Sequence, residues 1–126
     1  VVECSPYFAR TIPLEGSAHE ISVDDIDVLV ASDEHPTVLA SEVVTEQDLA
    51  IAQFAATFVR EGALLQTGIG AVPSLVAQAL AKGEGGDYGV HSEMFTDGLY
   101  ELFAAGKISN SRKAVHPGVS GTTFAP

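Results

Sequence analysis

A chain of 126 residues has the length of one domain and can bury about two-thirds of the surface its unfolded form exposes. With 46% hydrophobic and 18% charged residues it is too apolar for a disordered chain and ordinary for a folded α/β domain. Its formal charge of -11 repels phosphate backbones and anionic membrane surfaces, which argues against nucleic acid and membrane as partners.

In chain order, residues 1–20 (VVECSPYFARTIPLEGSAHE) mix proline, glycine and polar residues without periodicity and predict an extended segment with few helical residues. Cys4 is the only cysteine, so an intrachain disulfide and a cysteine-based zinc site are excluded, and a reducing, cytoplasmic setting is expected. The start has neither a basic nor an apolar leader region, and no apolar run reaches the ~20 residues that span a bilayer. Residues 26–32 (IDVLVAS) are rich in β-formers and predict a first buried strand, closed by Pro36.

From Thr45 the pattern changes. TEQDLAIAQFAATFVREG predicts a four-turn amphipathic helix with Thr45 as N-cap, Gly62 as its stop, and Leu49, Ala52, Phe54, Ala56 and Val59 on its apolar face. Next come a strand at 63–66, a glycine turn, and a helix running from about Pro73 to Gly83. YGVHS reads as another strand, and EMFTDGLYELFAAG as a helix with Leu99, Leu102 and Phe103 inward and Gly106 as its stop. KISN, KAVHPG and VSGTTFAP hint at further strands. Alternating strands and helices with short links predict a single α/β domain: an open, mostly parallel sheet with helices packed on its faces. Ligands of such sheets bind beyond the carboxyl ends of the strands. Gly68 to Gly70 and the stretch around Glu93 both fall there.

TGIGAVPS departs from the dinucleotide fingerprint, because Pro73 stands where a third glycine belongs. It reads either as bare amides near a helix start, suited to a developing oxyanion, or as a tight turn. Glu93 reads either as a helix-start acid or as a functional carboxylate. His91 is more simply a packed residue, and His19, His35, His91 and His116 share no metal-ligand spacing, so no metal is expected. Asp97 and Gly98 read as a turn or capping pair. Arg112 and Lys113 either attract a phosphorylated ligand or are simply solvated. The serines lack a nucleophile elbow, and Cys4 has no identifiable catalytic partner.

LLQTGIGAVPSLVAQAL, YGVHSEMFTDGLYELFAAGKISNSRK and the earlier ISVDDIDVLV resemble, over most of the chain, the acetyl-CoA hydrolase/transferase family of CoA-transferases, and the order and spacing of strand, G-I-G loop, helix, H-S-E-M and D-G make the resemblance specific. The resemblance implies that Glu93 is the nucleophile, found where the motif reads His-Ser/Thr-Glu-Met. It also implies that Gly68, Ile69, Gly70, His91 and Met94 line the substrate and CoA site. The implied activity moves CoA from an acyl-CoA thioester to a small carboxylic acid through a glutamyl-CoA thioester, with CoA as substrate and no prosthetic group. Hydrolysis of acetyl-CoA by the same glutamate is the alternative, and a non-catalytic nucleotide- or protein-binding module is the rival from another class. Family members are longer, with a preceding homologous domain and a downstream glycine-rich loop. The resemblance therefore implies a segment of the C-terminal catalytic domain, inactive when isolated, from a homo-oligomeric enzyme.

Overall fold

The computed structural model describes residues 1–8, 14, 16, 18, 20–38 and 43–124, the side chain of Phe124 excepted. The chain divides into two compact units, Val1–Val38 and Leu39–Pro126. In the first, strand β1 (Val2–Cys4) pairs in parallel with β2 (Leu29–Ala31), Val2 opposite Leu29. A 3-10 turn at Val23–Asp25 precedes β2 and is capped by the Ser22 hydroxyl, while Tyr7 stacks on His35 with ring centres 3.6 Å apart. The strand expected over 26–32 forms only over Leu29–Ala31, toward its C-terminal end. It is not buried, because Leu29 and Val30 are exposed. Within the segment expected to be extended, Val2–Cys4 is strand, and residues 9–13, 15, 17 and 19 lie outside the described residues.

The second unit opens with helix α1 (Glu46–Ala56). Thr45 accepts from the Asp48 amide and Asp48 accepts from the Thr45 amide, a reciprocal cap that satisfies two of the donors a helix start leaves free. The helix ends a turn or more before Gly62. Its core side is the small-residue pair Ala52 and Ala56, with Val59 just past its end packed on the core, whereas Leu49 and Phe54, expected inward, are exposed. Hydrophobicity marked the helix correctly, but the close approach of α2 selects the smaller side chains.

Then follow β3 (Leu64–Leu65), α2 (Ala71–Lys82), β4 (Gly89–Met94), α3 (Asp97–Ala104) and β5 (Gly121–Phe124). The strands form one parallel sheet in the order β3-β4-β5. Parallel neighbours joined in sequence by right-handed crossovers place successive helices on the same face. Accordingly Ala77 and Leu80 of α2 and Leu99 and Leu102 of α3 meet Tyr88 and Val90 of the sheet in one core, with Leu65, Ala56 and Val59 packed at its margin. Phe103, expected in that core, is exposed. The α/β class and the parallel sheet are as expected from sequence. Helices α1 and α3 and strand β3 are shorter than their sequence patterns, whereas α2 starts before Pro73 and β4 runs on to Met94, and KISN yields only a bridge of Ile108 to Tyr88.

Candidate functional site

Alternation along β4 separates two kinds of residue. Val90, Ser92 and Met94 are buried on the helix-covered face, while His91 and Glu93 are exposed on the other. Glu93 therefore lies in a strand and not in the first turn of a helix. The acid in the first turn of α3 is Asp97, with Thr96 as N-cap. The Glu93 carboxylate makes no hydrogen bond or ion pair among the described residues. Its backbone carbonyl accepts from the Thr122 hydroxyl of β5 at 3.1 Å. His91 lies beside Gly121, its partner across the β4–β5 ladder: a Cβ on Gly121 would stand 3.2 Å from His91 Nδ1.

The glycine loop leaves the carboxyl end of β3 at the same sheet edge. Gly70 is the N-cap of α2 with φ +131° and ψ 168°, a conformation open essentially to glycine alone, and Pro73 sits in the first turn where its missing amide costs nothing. Ile69 is exposed. The backbone ladder between β3 and β4 stops at Leu65 and Val90. One step on, Ser92 takes over with its side chain: its Oγ accepts from the Thr67 amide and donates to the Thr67 carbonyl, both at 3.2 Å. Thr67 Oγ1 is also 3.3 Å from Thr96 Oγ1, and the Thr96 hydroxyl makes no capping bond to α3.

On the β5 side two side chains fill the gap between the Ile108 bridge and the ladder. Asn110, buried and at φ +57°, accepts from the Val90 amide at 2.8 Å, and Lys113 Nζ donates to the Val90 carbonyl at 2.9 Å and to that of Val119. The Lys113 stem crosses Gly89, where a Cβ would stand 2.9 Å from its Cγ, and desolvation pulls its pKa below the usual lysine value. Arg112 pairs with Asp87 and Glu61. Hydrogen bonds from Ser109 and Ser111, together with the Arg112 guanidinium, hold the Asp87 carboxyl below the usual carboxylate range. The two basic residues that stood as candidates for a phosphorylated ligand are thus committed to the fold.

Of the residues expected to line a site, Glu93, Gly68, Ile69 and Gly70 share the carboxyl edge, and His91 shares the open face with Glu93. Met94 lies on the opposite face, 5% exposed, among core residues. Sequence reasoning passed over Ser92, Thr67 and Thr96. The available signal was Ser92 itself, a hydroxyl at an inward position of an alternating strand, which must find a partner. A concavity of about 410 Å³ lies at the far, amino edge between the ends of α1 and α2, lined by Ala56, Val59, Leu80, Gly85 and Tyr88 among others; none of the candidate residues borders it. Among the described residues no cluster of His, Cys, Asp or Glu is arranged to hold a metal ion, and no helix is long and apolar enough to cross a membrane.

No family model matches the chain. Individual proteins do. It is 34% identical over 125 residues to succinyl-CoA:cyclohexane-1-carboxylate CoA transferase of Geobacter metallireducens, which covers 99% of this chain and 27% of that protein. It is 40% identical over 105 residues to 4-hydroxybutyrate coenzyme A transferase of Clostridium kluyveri, 82% of this chain and 24% of that one. The solved structure of 4-hydroxybutyrate CoA-transferase from Porphyromonas gingivalis superposes with a TM-score of 0.74 at 29% identity, over 98% of this chain and 30% of the other. The chain thus spans about a quarter of the length of the curated relatives it matches.

Proposed function

This chain belongs to the CoA-transferase family, and on that premise we propose that it carries the nucleophile of an enzyme moving CoA between an acyl-CoA thioester and a small carboxylic acid. The observation that carries this reading is the Glu93 carboxylate. It is exposed, free of hydrogen bonds and ion pairs among the described residues, and sits at the edge where a glycine loop meets a helix start. A carboxylate engaged by donors would be a poor nucleophile; this one is not engaged.

In the proposed sequence, a Glu93 oxygen attacks the acyl-CoA carbonyl carbon, the C–S bond breaks, and CoA leaves as thiolate with a mixed anhydride remaining on Glu93. The thiolate then attacks the glutamyl carbonyl, the anhydride C–O bond breaks, and the donor acid leaves as carboxylate with CoA held as a glutamyl thioester. A second carboxylate attacks that thioester and the steps run in reverse, so the thioester bond is conserved and no proton is consumed. Each tetrahedral intermediate develops an oxyanion. The amides of Gly70 and Val72 at the start of α2 are the donors proposed to meet it.

The open sheet face, with Leu64, His91 and Glu93, forms one wall of the proposed cleft. Water must be kept from the anhydride, and a parallel sheet is ordinarily covered on both faces. We therefore assign the second wall to protein beyond these residues and expect little transferase activity from the 126 residues alone. The test is chemical trapping. With acetyl-CoA present, hydroxylamine should convert Glu93 of the full-length enzyme to its hydroxamate, because an activated glutamyl carbonyl reacts and a resting carboxylate does not. An unmodified Glu93 peptide under turnover would overturn the assignment.

A further inference from the structure

Three hydroxyl-bearing residues at the carboxyl edge are linked through Thr67, and two of them are adjacent in sequence to parts of the proposed site. Thr67 immediately precedes Gly68, Ser92 immediately precedes Glu93, and Thr96 begins the helix that follows. We propose that Ser92 is a positioning residue whose hydroxyl, with that of Thr96, sets the distance between the glycine loop and the Glu93 carboxylate. This rests on the reading of Glu93 as nucleophile.

Ser92 is 4% exposed and could have satisfied its hydroxyl with a single bond to a neighbouring carbonyl. Instead it engages both the amide and the carbonyl of Thr67, the two groups that a continued β3–β4 ladder would have paired with β4 backbone. A side chain thus stands in for a ladder rung. Backbone pairing would keep β3 and β4 at the ordinary spacing of about 4.8 Å to the very edge; interposing Ser92 lets the chain at Thr67 depart from the sheet while its offset from β4 stays fixed. Thr96 adds a second anchor at a local cost, because a threonine at an N-cap ordinarily accepts from its own helix, and here its oxygen faces Thr67. A local rule broken beside a proposed site is where positioning is expected. The loop amides and Glu93 must both address one tetrahedral carbon, and a misplacement of about 1 Å costs on the order of 100-fold in rate.

The experiment compares Ser92→Ala and Ser92→Thr in the full-length polypeptide, with acetyl-CoA and butyrate as probes and amide hydrogen exchange as a readout independent of activity. Ser92→Ala should lower kcat about 10- to 100-fold with a smaller change in KM, and raise exchange at residues 67–70 but not in α2 or α3. Ser92→Thr, which keeps the hydroxyl, should restore both. Unchanged kcat and loop exchange in Ser92→Ala would overturn the proposal. So would exchange rising throughout the unit while the folded fraction keeps full specific activity, the mark of a purely structural serine. A wild-type protein inactive with every acyl donor, in which Ser92→Ala still frees only the loop, would defeat the transferase reading and leave the clasp standing.

Discussion

Gly98→Ala tests the packing on which the site's geometry depends. Gly98 is the second residue of α3 and is buried; a Cβ there would stand 2.7 Å from the Ser74 carbonyl oxygen, 2.9 Å from the Ala77 Cβ and 3.0 Å from the Ser74 Cα. Two of these atoms belong to the α2 backbone and cannot swing aside, so reaching ordinary contact near 3.4 Å requires α3 to move off α2 by roughly 0.5 Å. Overpacking of this kind costs about 1–3 kcal/mol. Replacing glycine in a helix returns about 0.5–1 kcal/mol. The expected net loss is about 1–2 kcal/mol, or a fall in Tm of roughly 3–8 °C. The same shift lengthens the Thr67–Thr96 hydroxyl contact, already 3.3 Å, so kcat should fall beyond what the unfolded fraction explains. Thermal unfolding of wild type and variant, with CoA-transfer rates below both transitions, measures both effects. A Tm equal to or above that of wild type would refute the reasoning, because it would show that helix propensity outweighs the contact.

Two further outcomes follow from single residues. At Gly70 the backbone has φ +131°, where any side chain is strained by about 1–3 kcal/mol, so Gly70→Val should lower the urea midpoint as well as turnover; an unchanged midpoint would show that the loop relaxes freely. Asp87 has a folded pKa below its unfolded value, chiefly through Ser109 and Ser111 and then through Arg112, so the stability it contributes is complete above about pH 4 and drains away as the pH falls through the depressed value. Asp87→Asn tolerates the φ of +57° but removes the charge. It should be less stable at neutral pH and lose less on acidification, and parallel pH–stability curves for the two proteins would contradict the assignment.

Much of this was legible in the sequence. Strong helical periodicity placed α2 and α3, glycine marked the stops at Gly83 and Gly106, and the Thr45 cap was readable because capping is local. What failed was burial. Which of Ala52 or Phe54 faces the core is decided by the approach of a second helix, and the sequence of α1 alone holds no record of that distance. Glu93 was legible as a suspicious carboxylate but not as a strand residue, since HSEM lacks the length that separates a strand from a helix start. The fates of Arg112 and Lys113 were out of reach because Asp87 and Val90, far earlier in the chain, come near them only through the crossover from β4 to β5. Gly98 looked like a turn residue; its reason is a neighbour about twenty positions earlier.

The central claim, a covalent route through Glu93, is tested most directly by oxygen transfer. If a second acid attacks the glutamyl thioester and CoA then attacks the acyl carbonyl of the resulting anhydride, the bridging oxygen, which came from the acid, stays on Glu93. Turnover of the full-length enzyme with acetyl-CoA and an acceptor whose carboxylate carries oxygen-18, followed by mass spectrometry of the peptide spanning Glu93, should find the heavy isotope in that side chain. A peptide that stays unlabelled while labelled acid is converted to its CoA ester would contradict the account.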